Sequence, residues 1–203
     1  MTAVPAGVHS LRPPTDADIE ALTRELGRAP RGLRAVAYRC AHGIPAVVQT
    51  DPVLPDGTPF PTLYYLCCSV LNSAVGRMES EGLMATMNEQ LASDPALAAR
   101  YLAAHQAYLA ERNAVRDLGI DVSAGGMPSR VKCLHVLVAH SLASGGGVNP
   151  LGDDAVRLLP KYTRGQRPCA TLPPAASSTA APGLASLAIA PGESAAVPAA
   201  DTR

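Results

Sequence analysis

The sequence predicts an α+β domain: a small three-stranded antiparallel sheet packed against several helices. Two observations carry this prediction. Three short β-prone segments follow one another between residues 33 and 68, with turn chemistry between them, and from residue 69 onward apolar residues recur at helical spacing. Hydrophobic residues make up 47% of the 203 and charged residues 17%, which suits one packed domain. Aromatics are only 3%, with no Trp and a single Phe, Phe60, so the core must be built from Leu, Val, Ala and Met.

The first helix is signposted by Thr15 as cap, Asp18 three residues on, the stripe Ile19, Leu22 and Leu26, and Gly27 as stop. "LRAVAYRC" (33–40), "IPAVVQT" (44–50) and "TLYYLCC" (62–68) read as strands. Asp56-Gly57 turns the chain between the last two, and the simplest arrangement is a meander. "SVLNSAVGRMESEGLMATMNEQLAS" is helical with a break near Gly82. Asp94-Pro95 caps the next helix, which is expected to run to about Leu118 with Gly119 as stop. "DVSAGGMP" is a loop, Pro128 opens a central helix through "KCLHVLVAH", and "SGGGVNPLG" is a second loop. Asp153 or Asp154 starts a last short helix that ends at Pro160. The domain organisation expected is a flexible N-terminus (1–14), one α+β domain (15–170) and a disordered Ala/Pro/Ser-rich tail (171–203).

Formal net charge is zero and stacking residues are scarce, so nucleic acid is not an expected partner. No signal-like h-region and no apolar run long enough for a membrane span is visible, and the expected location is cytoplasmic. Five cysteines in such a chain point to free thiols or metal ligands before disulfides.

"RCAHGIP" places Cys40 and His42 at the turn between the first two strands. In a meander the third strand returns beside the second, which brings Cys67 and Cys68 toward that edge. Thiolate and imidazole suit zinc, which takes four such ligands. The fourth comes from Cys133, His135 or Cys169. On a helix begun at Pro128, residues two apart point about 200° from each other, so Cys133 and His135 do not share an ion. The expected set is therefore Cys40, His42, one of the Cys67–Cys68 pair, and Cys133, with zinc as cofactor. The alternative is that these are small buried cysteines beside one solvated histidine.

"GGMPSRVK" sets Gly125 and Gly126 before a helix start, with Ser129, Arg130 and Lys132 close by. Free N–H groups and the helix dipole favour an anion there, and the arginine adds two-pronged contacts. The blander reading is a loop followed by a capped helix. Tyr101, His105, Tyr108 and Arg112 share one helix face and read as a polar rim above a core. His135 and His140 are each possible bases, though a histidine on an apolar helix is more often a hydrogen-bonded core residue.

Together, "GRAPRGLRAVAYRCAHGIPAVVQT", "LPDGTPFPTLYYL", "SAGGMPSRVKCLHVLVAHSLA" and "GVNPLGDDAV" resemble the family catalogued as domain of unknown function 501, seen mainly in high-GC Gram-positive bacteria. The resemblance covers roughly Gly27 to Cys169. It implies no reaction; the genes of relatives lie beside a septum-formation initiator and an exopolyphosphatase, which associates the family with cell division or phosphate. Relatives read Cys-Pro-Cys-Gly where this chain has Cys40, Ala41, His42 and Gly43, a swap of one soft ligand for another. They carry one cysteine after "YYL", at Cys68, which the resemblance makes the better ligand of the pair.

The function expected is a zinc-stabilised domain with a binding or regulatory role, whose Gly125–Lys132 junction faces a protein partner or a small anionic ligand. The alternative is an enzyme on a phosphorylated small molecule, with Arg130 and Lys132 on the anion and His135 or an open metal doing the chemistry. A thiol redox role for Cys67–Cys68 ranks last, because adjacent cysteines bridge only with strain.

Overall fold

A computed structural model of the chain describes residues 11–165. Cys169, the tail and the first ten residues lie outside them. Arg12, inside the stretch expected to be flexible, exchanges backbone hydrogen bonds with Val36 at 2.8 and 3.2 Å.

Helix α1 (Asp16–Leu26) starts as the sequence demands. Thr15 Oγ1 accepts the Asp18 N–H at 3.2 Å, and the Asp18 carboxylate accepts the Thr15 N–H at 2.9 Å. That carboxylate also receives both terminal nitrogens of Arg39, at 2.6 and 2.8 Å. One side chain thus caps a helix and ties it to the end of β1 (Leu33–Arg39). The Arg39 hydrogen bonds hold the Asp18 carboxyl down at about 2.

Strands β1, β2 (Pro45–Thr50) and β3 (Tyr64–Leu66) form the antiparallel meander, in the order β1-β2-β3. Val36 lies opposite Val48, and Val48 opposite Tyr65. Every residue of the central strand β2 is buried, as a strand covered on both faces requires. On one face α1 supplies a small cluster, Leu22 and Leu26 against Val48 and Cys67. The main core lies on the other face, under the remaining helices.

Those helices are α2 (Ser69–Ser80), α3 (Leu83–Ser93), α4 (Pro95–Val115), α5 (Leu134–Ser144) and α6 (Pro150–Thr163). Gly82, in the left-handed region at φ +88°, makes the break between α2 and α3. Helix α5 is the central one: Leu134, Leu137, Val138, Ala139, His140, Ser141 and Leu142 are all buried, between β3, α6 and α2. Its crossing with α6 is so close that a Cβ on Gly152 would stand 2.3 Å from the Leu137 carbonyl oxygen.

Four sequence expectations are corrected. Helix α5 begins at Leu134, not at Pro128. The backbone N–H and C=O of Val131 are both taken by the side-chain amide of Asn88 on α3, at 2.8 and 3.0 Å, so neither is available to a helical ladder and the stretch is not helical. Helix α4 ends at Val115, because Arg116 turns to an extended φ of −161°. Helix α6 starts at Pro150, where Asn149 accepts the Gly152 N–H and proline fills the first turn. It also runs past Pro160 to Thr163.

The fourth correction concerns Tyr101, His105, Tyr108 and Arg112. They are buried, not a rim. The loop after α4 folds back over them: the Arg112 guanidinium donates to the carbonyls of Ile120, at 2.7 Å, and of Val122, and His105 Nδ1 meets Ser123 Oγ at 2.8 Å. Tyr108 Oη accepts the Leu63 N–H at 2.6 Å. The polar ends are satisfied inside, so the stripe is core.

Candidate metal centre

Cys133 is the residue before α5, with an extended backbone at φ −153° and ψ 113°. The helical angle that would separate Cys133 from His135 therefore does not apply. The Cys133 Sγ lies 3.9 Å from His135 Nδ1. Glu79, near the end of α2, brings Oε1 to 3.3 Å from that same nitrogen. The carboxylate is aimed by the backbone, since Oε1 accepts the Leu134 N–H at 2.7 Å. Ligand atoms of Glu79, Cys133 and His135 all lie within 4.8 Å of one another, and this is the one group of three or more such side chains among the described residues.

Thiol and carboxylate face one ring nitrogen. A proton relay through an imidazole uses both nitrogens, one for each neighbour. Three donors converging on a point is instead the layout of ligands around an ion. Tetrahedral zinc with bonds of about 2.0–2.3 Å sets S–N and N–O separations of about 3.6 and 3.3 Å, close to the 3.9 and 3.3 Å found here. The charges agree. Contact with His135 lowers the Cys133 thiol pKa, and contact with Cys133, helped by Glu79, raises that of His135.

All three side chains are partly exposed. Cys133 and His135 line a cleft of about 400 Å³ together with Thr62, Tyr64, Tyr65, Leu66, Asn72 and Val136. A three-ligand ion here would keep a position open to that cleft.

No three of the four expected ligands gather within 4.8 Å of one another. Cys40 Sγ is 4.0 Å from His42 Nδ1, at the β1–β2 turn. Cys68 is buried as the residue before α2, and burial raises its thiol pKa. Cys40 and Cys68 are near enough to feel each other's charge. The four residues Cys40, His42, Cys68 and Cys133 do not form one tight group. Cys67 is sealed beneath α1, its thiol pushed up to about 12 by burial.

The Gly125–Lys132 junction is also displaced from the helix start. A Cβ on Gly126 would meet the Arg130 carbonyl at 2.7 Å and Lys132 Cβ at 2.9 Å, so this glycine serves a close turn. Ser129, Arg130 and Lys132 are exposed and none lines the cleft. The carboxylate at the start of α5 is the protein's own Glu79.

Sequence reasoning missed Glu79. It lies 56 residues before His135, and nothing in its local pattern marks it. The Cys133-x-His135 spacing was visible, and repeats Cys40-x-His42; only the extended backbone at Cys133 turns it into a pair.

A family model described as a protein of unknown function, DUF501, matches residues 36–157. The chain belongs to this family. The DUF501 match spans Glu79, Cys133 and His135 as well as Cys40, His42 and Cys68. No curated protein and no solved structure matches the chain. No helix among the described residues is long and apolar enough to cross a membrane.

Proposed function

We propose that this DUF501 chain is a zinc-binding domain that holds its ion on Glu79, Cys133 and His135 and presents an open coordination position to the adjoining cleft, where it binds a ligand. The observation that carries this reading is the convergence of the Cys133 thiol and the Glu79 carboxylate on one nitrogen of His135. The donors come from α2 and from the start of α5, so an ion would also clamp two elements of the core together. The described cysteines are free thiols, in keeping with a cytoplasmic protein.

The test is elemental analysis with zinc titration of the purified full chain and its variants. One equivalent of zinc is expected in the wild type, lost in Cys133→Ser and retained in Cys40→Ser and Cys68→Ser. Loss of zinc from the Cys40 and Cys68 variants, with Cys133→Ser unaffected, would move the site to the β1–β2 turn. A wild type without stoichiometric metal would end the reading.

The second reading, an enzyme with a phosphorylated substrate held at Gly125, Gly126, Ser129, Arg130 and Lys132, has less support. Neither Arg130 nor Lys132 borders the cleft that holds Cys133 and His135.

A further inference from the structure

Strand β3 is an edge strand, and its free side borders the cleft. The ladder fixes which backbone groups face outward. The Thr50 N–H donates to the Leu63 carbonyl and the Cys67 N–H to the Ala46 carbonyl, both at 2.8 Å, while Val48 stands opposite Tyr65. The Leu63 carbonyl, the Tyr65 backbone and the Cys67 N–H therefore turn to β2, the Leu63 N–H goes to Tyr108 Oη, and Tyr64 and Leu66 turn their groups to the open edge. Two of these four groups are occupied. The Tyr108 hydroxyl, bonded to the Leu63 N–H, also lies close to the Tyr64 N–H, and the Leu66 carbonyl accepts from Asn72 Nδ2 at 3.3 Å. No described residue hydrogen-bonds the Tyr64 C=O or the Leu66 N–H.

An acceptor on one residue and a donor two residues on is the pattern that a single residue of a parallel neighbour satisfies, its N–H reaching one and its C=O the other. An antiparallel neighbour would need both groups of one residue, and here each residue has one taken. The cleft beside this edge is walled by Tyr, Thr, Leu, Val and Asn, with no Lys, Arg, Asp or Glu in its lining. A phosphorylated ligand finds no Lys or Arg in that lining. An uncharged backbone finds the donor and acceptor it needs.

We infer that the cleft takes an extended peptide segment, added parallel to β3 through the Tyr64 C=O and the Leu66 N–H. This is strand addition, in which main-chain hydrogen bonds hold the peptide and side-chain contacts select it. The edge holds the peptide with or without an ion. The inference rests on the zinc reading for one element only: a histidine in the docked segment takes the open position beside Cys133 and His135.

The probe is a set of blocked pentapeptides, acetyl-Ala-X-Ala-X-Ala-amide with X as His, Leu, Tyr or Asp, whose central alanine pairs with Tyr65 while the flanking X side chains turn to the Tyr64 and Leu66 face, and the same set N-methylated at the central alanine. Each is titrated into the isotope-labelled full chain, zinc-loaded or chelator-treated, and followed by amide NMR and hydrogen exchange. The Leu66 amide shifts and its exchange slows about tenfold, and N-methylation weakens binding about tenfold, the loss of one hydrogen bond. With zinc, the His peptide binds about tenfold more tightly than the Leu peptide, and chelation removes the difference. A Leu66 amide unmoved by every peptide overturns the inference, as does an equal response to the N-methylated set. Peptide binding without stoichiometric zinc leaves the edge standing and removes the metal reading; zinc binding with no peptide response does the reverse.

Discussion

Glu79 Oε1 lies 3.3 Å from His135 Nδ1, and the same oxygen accepts the Leu134 N–H at 2.7 Å. One carboxylate thus serves the start of α5 and the candidate metal centre. The two roles can be separated, because Glu79→Gln keeps a carbonyl acceptor for Leu134 and removes the anionic ligand. Zinc affinity should fall by about 100-fold or more, taking the effect of supporting groups as a lower bound. The melting temperature of the metal-free protein should move little. Glu79→Ala also strips the helix-end acceptor and should cost about 1 kcal/mol further. Competition with a chelator gives the affinity and thermal unfolding gives the rest.

Thiol reactivity should rank the cysteines. The contact with His135 lowers the Cys133 pKa, whereas burial pushes Cys67 up to about 12. Iodoacetamide at neutral pH should label Cys133 at least about tenfold faster than Cys67, since the thiolate is the nucleophile. Zinc should protect Cys133 and leave Cys67 unchanged. Peptide mapping by mass spectrometry reads both rates. Equal labelling of the two would contradict the geometry.

Acid should weaken the fold in two stages. His140 is fully buried, stacked on Tyr64 at 6.1 Å and edge-on to Tyr108 at 5.1 Å. Its Nδ1 faces the Asn149 amide at 3.3 Å and its Nε2 has no partner, and burial lowers its pKa from 6.5 to about 4. The unfolded chain takes up this proton first. Stability is therefore full above 6.5 and falls by about 3 kcal/mol as pH drops to 4, with no further loss from this group below. His105, lowered by burial, acts in the same direction, and His135, raised, opposes it. Asp18 then contributes: its stabilisation, about 2 kcal/mol, is present above 3.8 and lost as pH falls through 2. Urea unfolding of the wild type and His140→Gln between pH 7 and 4 checks the first stage. Parallel curves would show that the imidazole is not the group responsible.

Asn88→Ala should affect the site from a distance. It removes both hydrogen bonds that occupy the Val131 backbone, two residues before Cys133. A cost of about 2 kcal/mol is expected from two unpaired backbone groups. Zinc affinity should drop as well, because an α5 that grows backward to Val131 would swing Cys133 away from His135. Circular dichroism with zinc titration would show both changes. Unchanged affinity at reduced stability would mean that Cys133 is placed by other contacts.

Much of the fold was legible in local pattern. Thr15 with Asp18, Gly27, Asp94-Pro95 and the break at Gly82 act through the few residues around them, so their outcomes matched. The meander followed from three β-prone runs and short turns. The start of α5 was not legible. Pro128 is a sound first-turn residue by its own chemistry, and what overrides it is a side chain on α3, Asn88, 43 positions before Val131. The polar face of α4 failed likewise, since only the returning loop supplies carbonyls for Arg112.

By itself, then, the sequence determined the α+β class, the strand order, most helix starts, and a stock of Cys and His at spacings fit for metal. Those properties depend on neighbours a few residues apart. Tertiary structure decided which of these side chains meet. Glu79 reaches Cys133 and His135 because α2 packs on α5, and Cys133 can face His135 because α5 starts only at Leu134, after Asn88 has taken the Val131 backbone groups. Both contacts join residues more than 40 positions apart, and no local pattern encodes a distance that packing alone sets.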